Sequence, residues 1–329
     1  MMPTPNRRPN RFRTALAATA RFVLVLCVVL NGLIIVQARA ATHFVTTGGR
    51  PELVLSMPLH RQVAALITGV PVARPENRTT PADHYLPYET VMIGLADGEQ
   101  LEAWHVSQPQ PRGIALMFVG YAGAKEGALT PAAKFYQFGY NSLVVDFRGA
   151  GGSSRSDQTL GIREADDVAA AFAYVRARWP ELPVVLYGIS MGGAAVLRAV
   201  AVADVQPAGL VLEAVFDELL TTTRHRFDAL GLPGSPVSEL LLFWGGVQLG
   251  LNPFAHNPLE YAAAAEMPVL LLYGEHDPWI LPAERDALAA AMAGPTTLVT
   301  FAGQGHGGPY VYSDAPRWDA AVRAFLDGL

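Results

Sequence analysis

The chain has 329 residues, of which 51% are apolar, and its formal net charge is −5. This length and composition can bury a large core and fit one catalytic domain of about 240 residues behind an N-terminal extension. An acidic balance without a run of Lys or Arg beyond the first thirteen residues argues against a nucleic-acid partner. The one cysteine, Cys27, lies in an apolar N-terminal stretch, which excludes cysteine-hydrolase chemistry further along the chain.

The first 40 residues have the three-part order of a signal peptide. Five arginines fall within residues 7–21, the apolar run Phe22–Val36 follows, and Ala38-Arg39-Ala40 supplies a small-residue cleavage site. The apolar run is interrupted by Asn31-Gly32 and is shorter than the roughly 18 to 20 residues that span a bilayer. We therefore predict a cleaved signal peptide and an exported protein, periplasmic or secreted. A retained membrane anchor, with membrane association through residues 22–36, is the alternative.

Residues 41–87 form a predicted N-terminal extension and linker. The apolar segment Leu53–Val70 is followed by Pro71–Pro87, which is rich in proline and polar residues. Such clusters between periodic segments are typical of loops. The sequence predicts a helix packed on the surface, then a linker.

From Tyr88 onward, apolar runs of strand length alternate with stretches of helical period, which is typical of a βαβ protein with a mainly parallel sheet. Two hairpin-like strands come first, so we predict an α/β domain over residues 88–329 with an eight-stranded sheet flanked by helices. The predicted strands are Thr90–Leu95, Leu101–Val106, Gly113–Val119, Asn141–Asp146, Pro183–Tyr187, Gly209–Glu213, Pro268–Tyr273 and Thr297–Phe301. The predicted helices are Thr130–Phe138, Gly161–Trp179, Met191–Ala203, Pro282–Ala293 and Ala315–Leu326.

One segment breaks this alternation. Residues 216–265 contain glycine and proline clusters, several aromatic residues and the apolar stretch Leu240–Leu251 between two predicted strands. An insertion there lies above the carboxyl edge of the sheet, where open α/β sheets bind ligands. We predict a small helical cap, with an ordinary buried helix and long loops as the alternative.

The segment Gly188-Ile189-Ser190-Met191-Gly192 follows a predicted strand and opens a helix rich in alanine and valine. This is the context of the G-x-S-x-G nucleophile elbow, which holds the serine on a sharp, strained turn. Side chains at Gly188 and Gly192 would collide with neighbouring backbone. The helix start also directs N–H groups at developing negative charge. Ser190 is therefore the predicted nucleophile.

A serine hydroxyl is a poor nucleophile at neutral pH, so it needs a base within hydrogen-bond reach and an acid that orients this base. In hydrolases with this elbow the chain order is Ser, then Asp or Glu, then His. After Ser190, one predicted strand leads into Gly274-Glu275-His276-Asp277, and the next leads into Gly303-Gln304-Gly305-His306. Both loops fall at the carboxyl edge of the sheet. We predict His306 as the general base and Asp277 as the acid.

Three nearby residues compete for these roles. Glu275 and His276 are close to Asp277 in sequence, but residues on a turning loop point differently, and Asp286 lies inside the following predicted helix. His276 also precedes the last predicted strand, whereas the base is expected after it.

The predicted oxyanion hole combines two backbone N–H groups. One belongs to Met191, directly after the nucleophile. The other comes from the loop Val119-Gly120-Tyr121-Ala122-Gly123, within which we choose Tyr121. Whether the Tyr121 side chain lines the pocket or only packs within its loop stays open.

Over residues 88–329 the sequence resembles the α/β-hydrolase superfamily. Besides the motifs described above, the segment Asp146–Ser153 is similar to the D-x-R-G-x-G-x-S loop of many esterases, lipases and peptidases of this superfamily. The resemblance implies that Asp146 and Arg148 support loop structure. Val119 departs from the pattern, since the family often has histidine before the oxyanion-loop glycine.

These features predict a serine hydrolase that cleaves carboxylic esters or thioesters through an acyl-enzyme, without a metal or an organic cofactor. A nucleophilic serine in place of aspartate argues against dehalogenase or epoxide-hydrolase chemistry. The apolar, aromatic cap favours a small-molecule or lipid-like acyl substrate over a highly charged one. A serine peptidase or amidase would use the same residues. An alternative of another class is a non-catalytic envelope binding protein.

Overall fold

Eight apolar runs of the chain form the strands of a single sheet. The coordinates are a computed structural model, and the structure describes residues 11–46, 58–96 and 98–329. The strands are β1 (Tyr88–Gly94), β2 (Gln100–Val106), β3 (Gly113–Phe118), β4 (Tyr140–Val145), β5 (Val184–Ile189), β6 (Gly209–Glu213), β7 (Val269–Gly274) and β8 (Thr296–Phe301). Each begins and ends close to its predicted bounds, so the eight-stranded sheet expected from the sequence is confirmed.

The strand order across the sheet is β1-β2-β4-β3-β5-β6-β7-β8. Strand β2 runs antiparallel to both of its neighbours, and every other pair is parallel. Strands β3 to β7 are buried at every residue. Continuous burial explains why these strands are uninterrupted apolar runs, because helices cover both faces of a parallel sheet.

Five helices flank the sheet at the places predicted from helical periodicity. They are α3 (Leu129–Gln137), α4 (Glu164–Arg178), α5 (Met191–Val202), α9 (Pro282–Ala291) and α10 (Ala315–Asp327). Their apolar positions are buried in one core with the strands, as Val168 and Val175 of α4 show. Helices at this spacing are what connects successive parallel strands.

The carboxyl ends of β5, β7 and β8 bring three loops to one edge of the sheet. In the register, Ile189 at the end of β5 pairs with Glu213 at the end of β6, and Gly274 pairs with Phe301. Because the strands end at the same level, the loops that follow them meet above this edge.

Three helices lie between β6 and β7, where the sequence predicts a cap. They are α6 (Leu219–Ala229), α7 (Val237–Leu249) and α8 (Pro258–Tyr261). Helix α7 contains most of the apolar stretch Leu240–Leu251. It is only partly buried: Leu242 is inside, whereas Phe243 and Val247 are exposed.

The N-terminal helix α1 (Arg11–Thr42) extends beyond the apolar run 22–36 at both ends. Its part Ala15–Thr42 is 28 residues long and includes a stretch of mean hydropathy 2.4, long and apolar enough to cross a membrane. The expectation that this segment is too short to span a bilayer is therefore wrong. It counted only the strongly apolar residues, whereas the alanine-rich flanks continue the helix. A signal sequence meets the same length criterion.

The C-terminal end of α1 packs against the rest of the chain. Ala38, in the predicted cleavage site, is 1% exposed. Asn31 Oδ1 accepts a hydrogen bond of 2.8 Å from Trp244 Nε1 on α7. Helix α2 (Leu59–Thr68) also contacts α1, and the Gln37 amide donates to two of its carbonyls. The predicted cleavage site thus lies within a docked helix.

Candidate active site

Ser190 occupies the sharp turn between β5 and α5. Its backbone has φ 50° and ψ −115°, a region that L-residues rarely adopt. The Ser190 N–H donates to the Glu213 carbonyl at 2.7 Å, which ties the turn to the end of β6. A Cβ at Gly188 would lie 2.7 Å from the backbone of α5, and one at Gly192 would lie 2.6 Å from a carbonyl of β3. Close packing therefore requires both glycines.

The structure brings the three predicted catalytic side chains into one hydrogen-bonded chain. Ser190 Oγ lies 3.1 Å from His306 Nε2, and His306 Nδ1 lies 2.7 Å from Asp277 Oδ2. The other carboxylate oxygen, Oδ1, accepts from the backbone N–H groups of Trp279 at 2.9 Å and Ile280 at 3.1 Å. Both oxygens of Asp277 are thus engaged, so its orientation toward the imidazole is fixed.

The structure does not bring the three competing residues into this chain. Glu275 is half-exposed, and its carboxylate accepts from the Gly303 N–H at 2.8 Å. His276 is largely exposed, with Nε2 3.9 Å from Glu275. Asp286 is exposed on α9 and accepts from Arg285 at 3.1 Å.

Both predicted oxyanion donors lie near the serine. Met191 is the first residue of α5, and first-turn N–H groups have no acceptor within their own helix. The loop after β3 passes beside the serine, since a Cβ at Gly120 would lie 3.5 Å from the Ser190 Cβ. Tyr121 follows, and its hydroxyl donates to the Ala41 carbonyl. Burial raises the pKa of Tyr121 to about 12. Its side chain both lines the cleft and packs against the segment after α1.

Residues at the end of α1 and just after it support the oxyanion loop. The Gln158 N–H donates to the Thr42 carbonyl at 2.9 Å, and its side-chain oxygen accepts from the Ala122 N–H at 3.0 Å. The Phe44 ring lies 5.8 Å from the ring of Tyr121. Sequence reasoning did not find these contacts, because no local pattern links residues so far apart in the chain.

A cleft of about 810 Å³ opens onto Ser190 and His306, within the size range of small-molecule sites. The centres of the Trp279 and His306 rings lie 4.4 Å apart. The Arg226 guanidinium, on α6, lies 4.4 Å from the centre of the same Trp279 ring. Neither Trp279 nor Arg226 was predicted as a site residue. Trp279 could have been found, because it lies two residues after Asp277, whereas nothing in the sequence around Arg226 distinguishes it. Over the described parts of the chain, no group of three or more His, Cys, Asp or Glu could hold a metal ion.

The D-x-R-G-x-G-x-S loop is held by buried ion pairs. Lys125 Nζ lies 2.5 Å from Asp146 Oδ2, and the Lys125 N–H donates to the other oxygen at 2.7 Å. Arg148 Nε lies 2.6 Å from Asp167 Oδ1. These contacts agree with the loop-supporting role that the family resemblance implies.

Comparison with known proteins gives the same architecture. The family model for serine aminopeptidase S33 matches residues 109–219, about a third of the chain, including Ser190. The chain superposes on the Pyrococcus furiosus esterase Pf2001 with a TM-score of 0.65 and 22% identity, over 77% of this chain and 96% of that one. The chain has the α/β-hydrolase fold. Est1E from Butyrivibrio proteoclasticus, solved with ferulic acid bound, gives a TM-score of 0.56 at 18% identity, over 72% of this chain and 98% of that one.

Relatives of similar sequence share about a quarter of their aligned residues with this chain. Protein bem46 of Schizosaccharomyces pombe is 25% identical over 212 residues, 63% of this chain and 66% of that protein. The uncharacterized membrane protein YNL320W of Saccharomyces cerevisiae is 26% identical over 193 residues, 54% of this chain and 68% of that protein. YfhR of Escherichia coli is 26% identical over 202 residues, 58% of this chain and 64% of that protein. The alignments thus span about two thirds of the length of these relatives.

Proposed function

We propose that this α/β hydrolase is a serine hydrolase that cleaves carboxylic ester or thioester bonds through an acyl-enzyme. The observation that carries the proposal is the hydrogen-bonded chain from Ser190 through His306 to Asp277, at 3.1 and 2.7 Å. It combines a nucleophile, a base within reach of its proton and an acid that orients the base. Ser190 and His306 line a cleft large enough for a small-molecule substrate.

In the proposed mechanism, Ser190 Oγ attacks the carbonyl carbon while His306 Nε2 accepts the serine proton. Asp277 binds the Nδ1–H, which leaves Nε2 free to accept and stabilises the imidazolium that forms. The N–H groups of Met191 and Tyr121 bind the oxyanion. His306 then donates its proton to the leaving group. In the second half of the reaction, His306 accepts a proton from the water that attacks the acyl-enzyme and returns it to Ser190 Oγ.

Two observations favour ester or thioester hydrolysis over aminopeptidase activity. The superposed structures from Pyrococcus furiosus carry the name esterase. The charged side chain stacked beyond Trp279, next to His306, is the cationic Arg226, which repels the α-ammonium group that an aminopeptidase binds. The description of the matched family as serine aminopeptidase keeps amide hydrolysis as the second candidate.

The backbone of Ser190 also favours catalysis over a purely binding role. A residue held in such a region costs of order 1–3 kcal/mol, and such strain concentrates at functional sites. A binding protein with this fold gains nothing from a strained serine beside an oriented imidazole.

A fluorophosphonate probe tests the proposal directly. The wild type should be labelled, and Ser190→Ala should not be. Ser313→Ala, at an exposed serine outside the cleft, is the control and should label like the wild type. Absence of wild-type labelling, or equal labelling of Ser190→Ala, would overturn the proposal. A series of 4-nitrophenyl esters of graded acyl length, run beside aminoacyl amides, then separates esterase from amidase activity.

We further propose that α1 is retained as a membrane anchor. Its N-terminal half exposes large apolar side chains, including Phe22 and Leu24, whereas Ile34 and Ala38 near its other end are buried against the domain. The Ile35 carbonyl accepts from the Gln248 amide of α7 at 2.9 Å. These contacts would be lost if a signal peptidase removed α1, so they favour a helix that stays attached to the domain.

Helix α2 supports the same proposal. Its apolar residues Leu59, Val63, Leu66 and Ile67 are exposed and, at spacings of four and three residues, share one helical face. Because α2 packs against the end of α1, an apolar face there fits a helix that lies in the membrane interface. After carbonate washing of membranes, the chain should stay in the pellet with Met1 as its N-terminus; a soluble product that begins near Ala41 would instead support cleavage.

A further inference from the structure

Arg226 places a positive charge without an ion partner at the cleft. It lies on α6 and lines the cleft together with Ser190 and His306. Among the described residues, no carboxylate lies within 4.0 Å of its guanidinium, and its Nε is buried without a hydrogen-bond partner. The Cζ atom of this guanidinium lies over the Trp279 ring, 4.4 Å from its centre. Stacking on an aromatic face leaves the N–H edge of a guanidinium available to an acceptor.

The charges near Arg226 do not supply that acceptor. Burial lowers the pKa of Arg226, because the charged form loses water, while Tyr121 and Asp277 act to raise it. A guanidinium nevertheless stays protonated at neutral pH. Asp277 already uses both oxygens, one for His306 and one for two backbone N–H groups. A partly buried cation that lacks an acceptor is costly, so an anion bound beside it gains more than it would in water.

Two other arginines show what a satisfied guanidinium looks like in this region. Arg224 lies two residues earlier on α6 and donates to Glu239 at 2.6 and 3.1 Å. Arg74 also lines the cleft, but it donates to several backbone carbonyls of residues 150–155. Arg226 differs from both, since it has the donors but no acceptor.

We propose that Arg226 binds an anionic group of the substrate, a carboxylate or a phosphate, while Ser190 attacks the nearby carbonyl. A planar guanidinium matches either group with two parallel hydrogen bonds. The proposal rests on the proposed serine-hydrolase function and names its substrate class: an ester or thioester with one negative charge near the scissile bond. It departs from the uncharged acyl substrate expected from the cap, because composition does not show which cap side chain reaches the cleft.

The test compares matched esters that differ only in charge. Mono-4-nitrophenyl adipate against 4-nitrophenyl hexanoate places a carboxylate on the acyl side. 4-Butyryloxybenzoate against its methyl ester places a carboxylate on the leaving group, and 4-butyryloxyphenyl phosphate replaces that carboxylate by phosphate. For at least one anionic ester, kcat/KM of Arg226→Gln should fall about 10- to 100-fold, as expected for loss of a hydrogen bond to a charged group. The neutral partner should change less than about threefold.

Matched variants make the outcome decisive. Arg224→Gln removes the same charge from the same helix and should leave the ratio of anionic to neutral turnover unchanged. Arg226→Lys keeps the positive charge and should retain part of the preference for the anionic ester. If Arg226→Gln lowers anionic and neutral esters equally, Arg226 acts by positioning Trp279 and His306, and the proposal fails. Fluorophosphonate labelling separates the two failures. If only the anion-binding proposal is wrong, the wild type and Arg226→Gln are both labelled. If the hydrolase function is wrong, neither is labelled.

Discussion

The hydroxyl of Tyr121 donates a hydrogen bond to the backbone carbonyl of Ala41. This bond joins the loop that carries a predicted oxyanion donor to the residues at the end of α1. The position of that loop beside Ser190 therefore depends on a segment that a cleaved signal peptide would leave as a free end.

Replacing Tyr121 by Phe removes this hydrogen bond but keeps the ring packed on Phe44. We expect a loss of about 1 kcal/mol in the free energy of unfolding. We also expect kcat to fall about 3- to 10-fold, because the N–H donor is less firmly placed, with little change in KM. Tyr85→Phe, at a side chain that is 97% exposed, is the matched control. A Tyr121→Phe enzyme with wild-type kcat would show that the hydroxyl does not position the loop.

Truncations of α1 separate anchoring from support of the site. Removing residues 1–30 deletes the exposed apolar part but keeps Asn31 and its hydrogen bond to Trp244. This variant should leave the membrane fraction and keep its ester turnover. Removing residues 1–40 also deletes Ala38 and the contacts of Gln37, so we expect a lower melting temperature and lower turnover. Equal stability and turnover of the two variants would show that the docked end of α1 contributes nothing.

The assignment of the acid is tested by two amide variants. Asp277→Asn should lower kcat by about 10³- to 10⁴-fold, because an amide in this place favours the wrong imidazole tautomer. Glu275→Gln should change kcat less than about threefold, since this carboxylate is half-exposed and accepts its hydrogen bond from the Gly303 N–H. The reverse pattern would assign the acid to Glu275. Melting temperatures of both variants show whether lost turnover reflects lost folding.

Much of the fold and of the site geometry follows from local sequence signals. Strand runs bounded by turns gave the sheet, and the chain order of Ser190, Asp277 and His306 placed three residues that the structure brings together. The contact of Arg226 with Trp279 did not follow, because it joins α6 to the loop after β7, and no local pattern links the two segments. Helix α1 is longer than the apolar run 22–36 because alanine continues a helix without adding strongly to an apolar run.

Gly192 tests how tightly the elbow is packed. A Cβ there would lie 2.6 Å from the carbonyl oxygen of Phe118, at the end of β3, and 2.7 Å from that of Val119, just after it. A strand backbone cannot move aside without a large cost in free energy. Gly192→Ala should lower the free energy of unfolding by about 1–3 kcal/mol and reduce fluorophosphonate labelling. Gly245→Ala is the control, since a Cβ in the middle of α7 meets nothing within 4 Å. This second variant should gain about 0.5–1 kcal/mol. Similar destabilisation of both would contradict the packing argument.

His256 gives the fold a defined pH dependence. It is buried between the rings of Phe216 and Tyr261, and Nε2 lies 3.1 Å from the Leu160 carbonyl. Burial, with a smaller effect of the Arg198 charge, lowers the pKa of His256 to about 3, against about 6.5 in the unfolded chain. Between these two pH values the unfolded chain binds a proton that the folded chain does not. Stability is therefore unaffected above about pH 6.5 and falls as the pH drops below it, by up to about 1.4 kcal/mol per pH unit.

The variant His256→Gln keeps an N–H donor for the Leu160 carbonyl but cannot titrate. Urea unfolding of the detergent-solubilised chain between pH 4.5 and 7.5, followed by tryptophan fluorescence, measures the effect. The free energy of unfolding of the wild type should fall more steeply below pH 6.5 than that of His256→Gln, and the two curves should run parallel above it. His60→Gln, at an exposed histidine, should keep the wild-type slope. If His256→Gln keeps that slope as well, another group governs the acid sensitivity, because a histidine that is neutral only in the folded state must contribute to it.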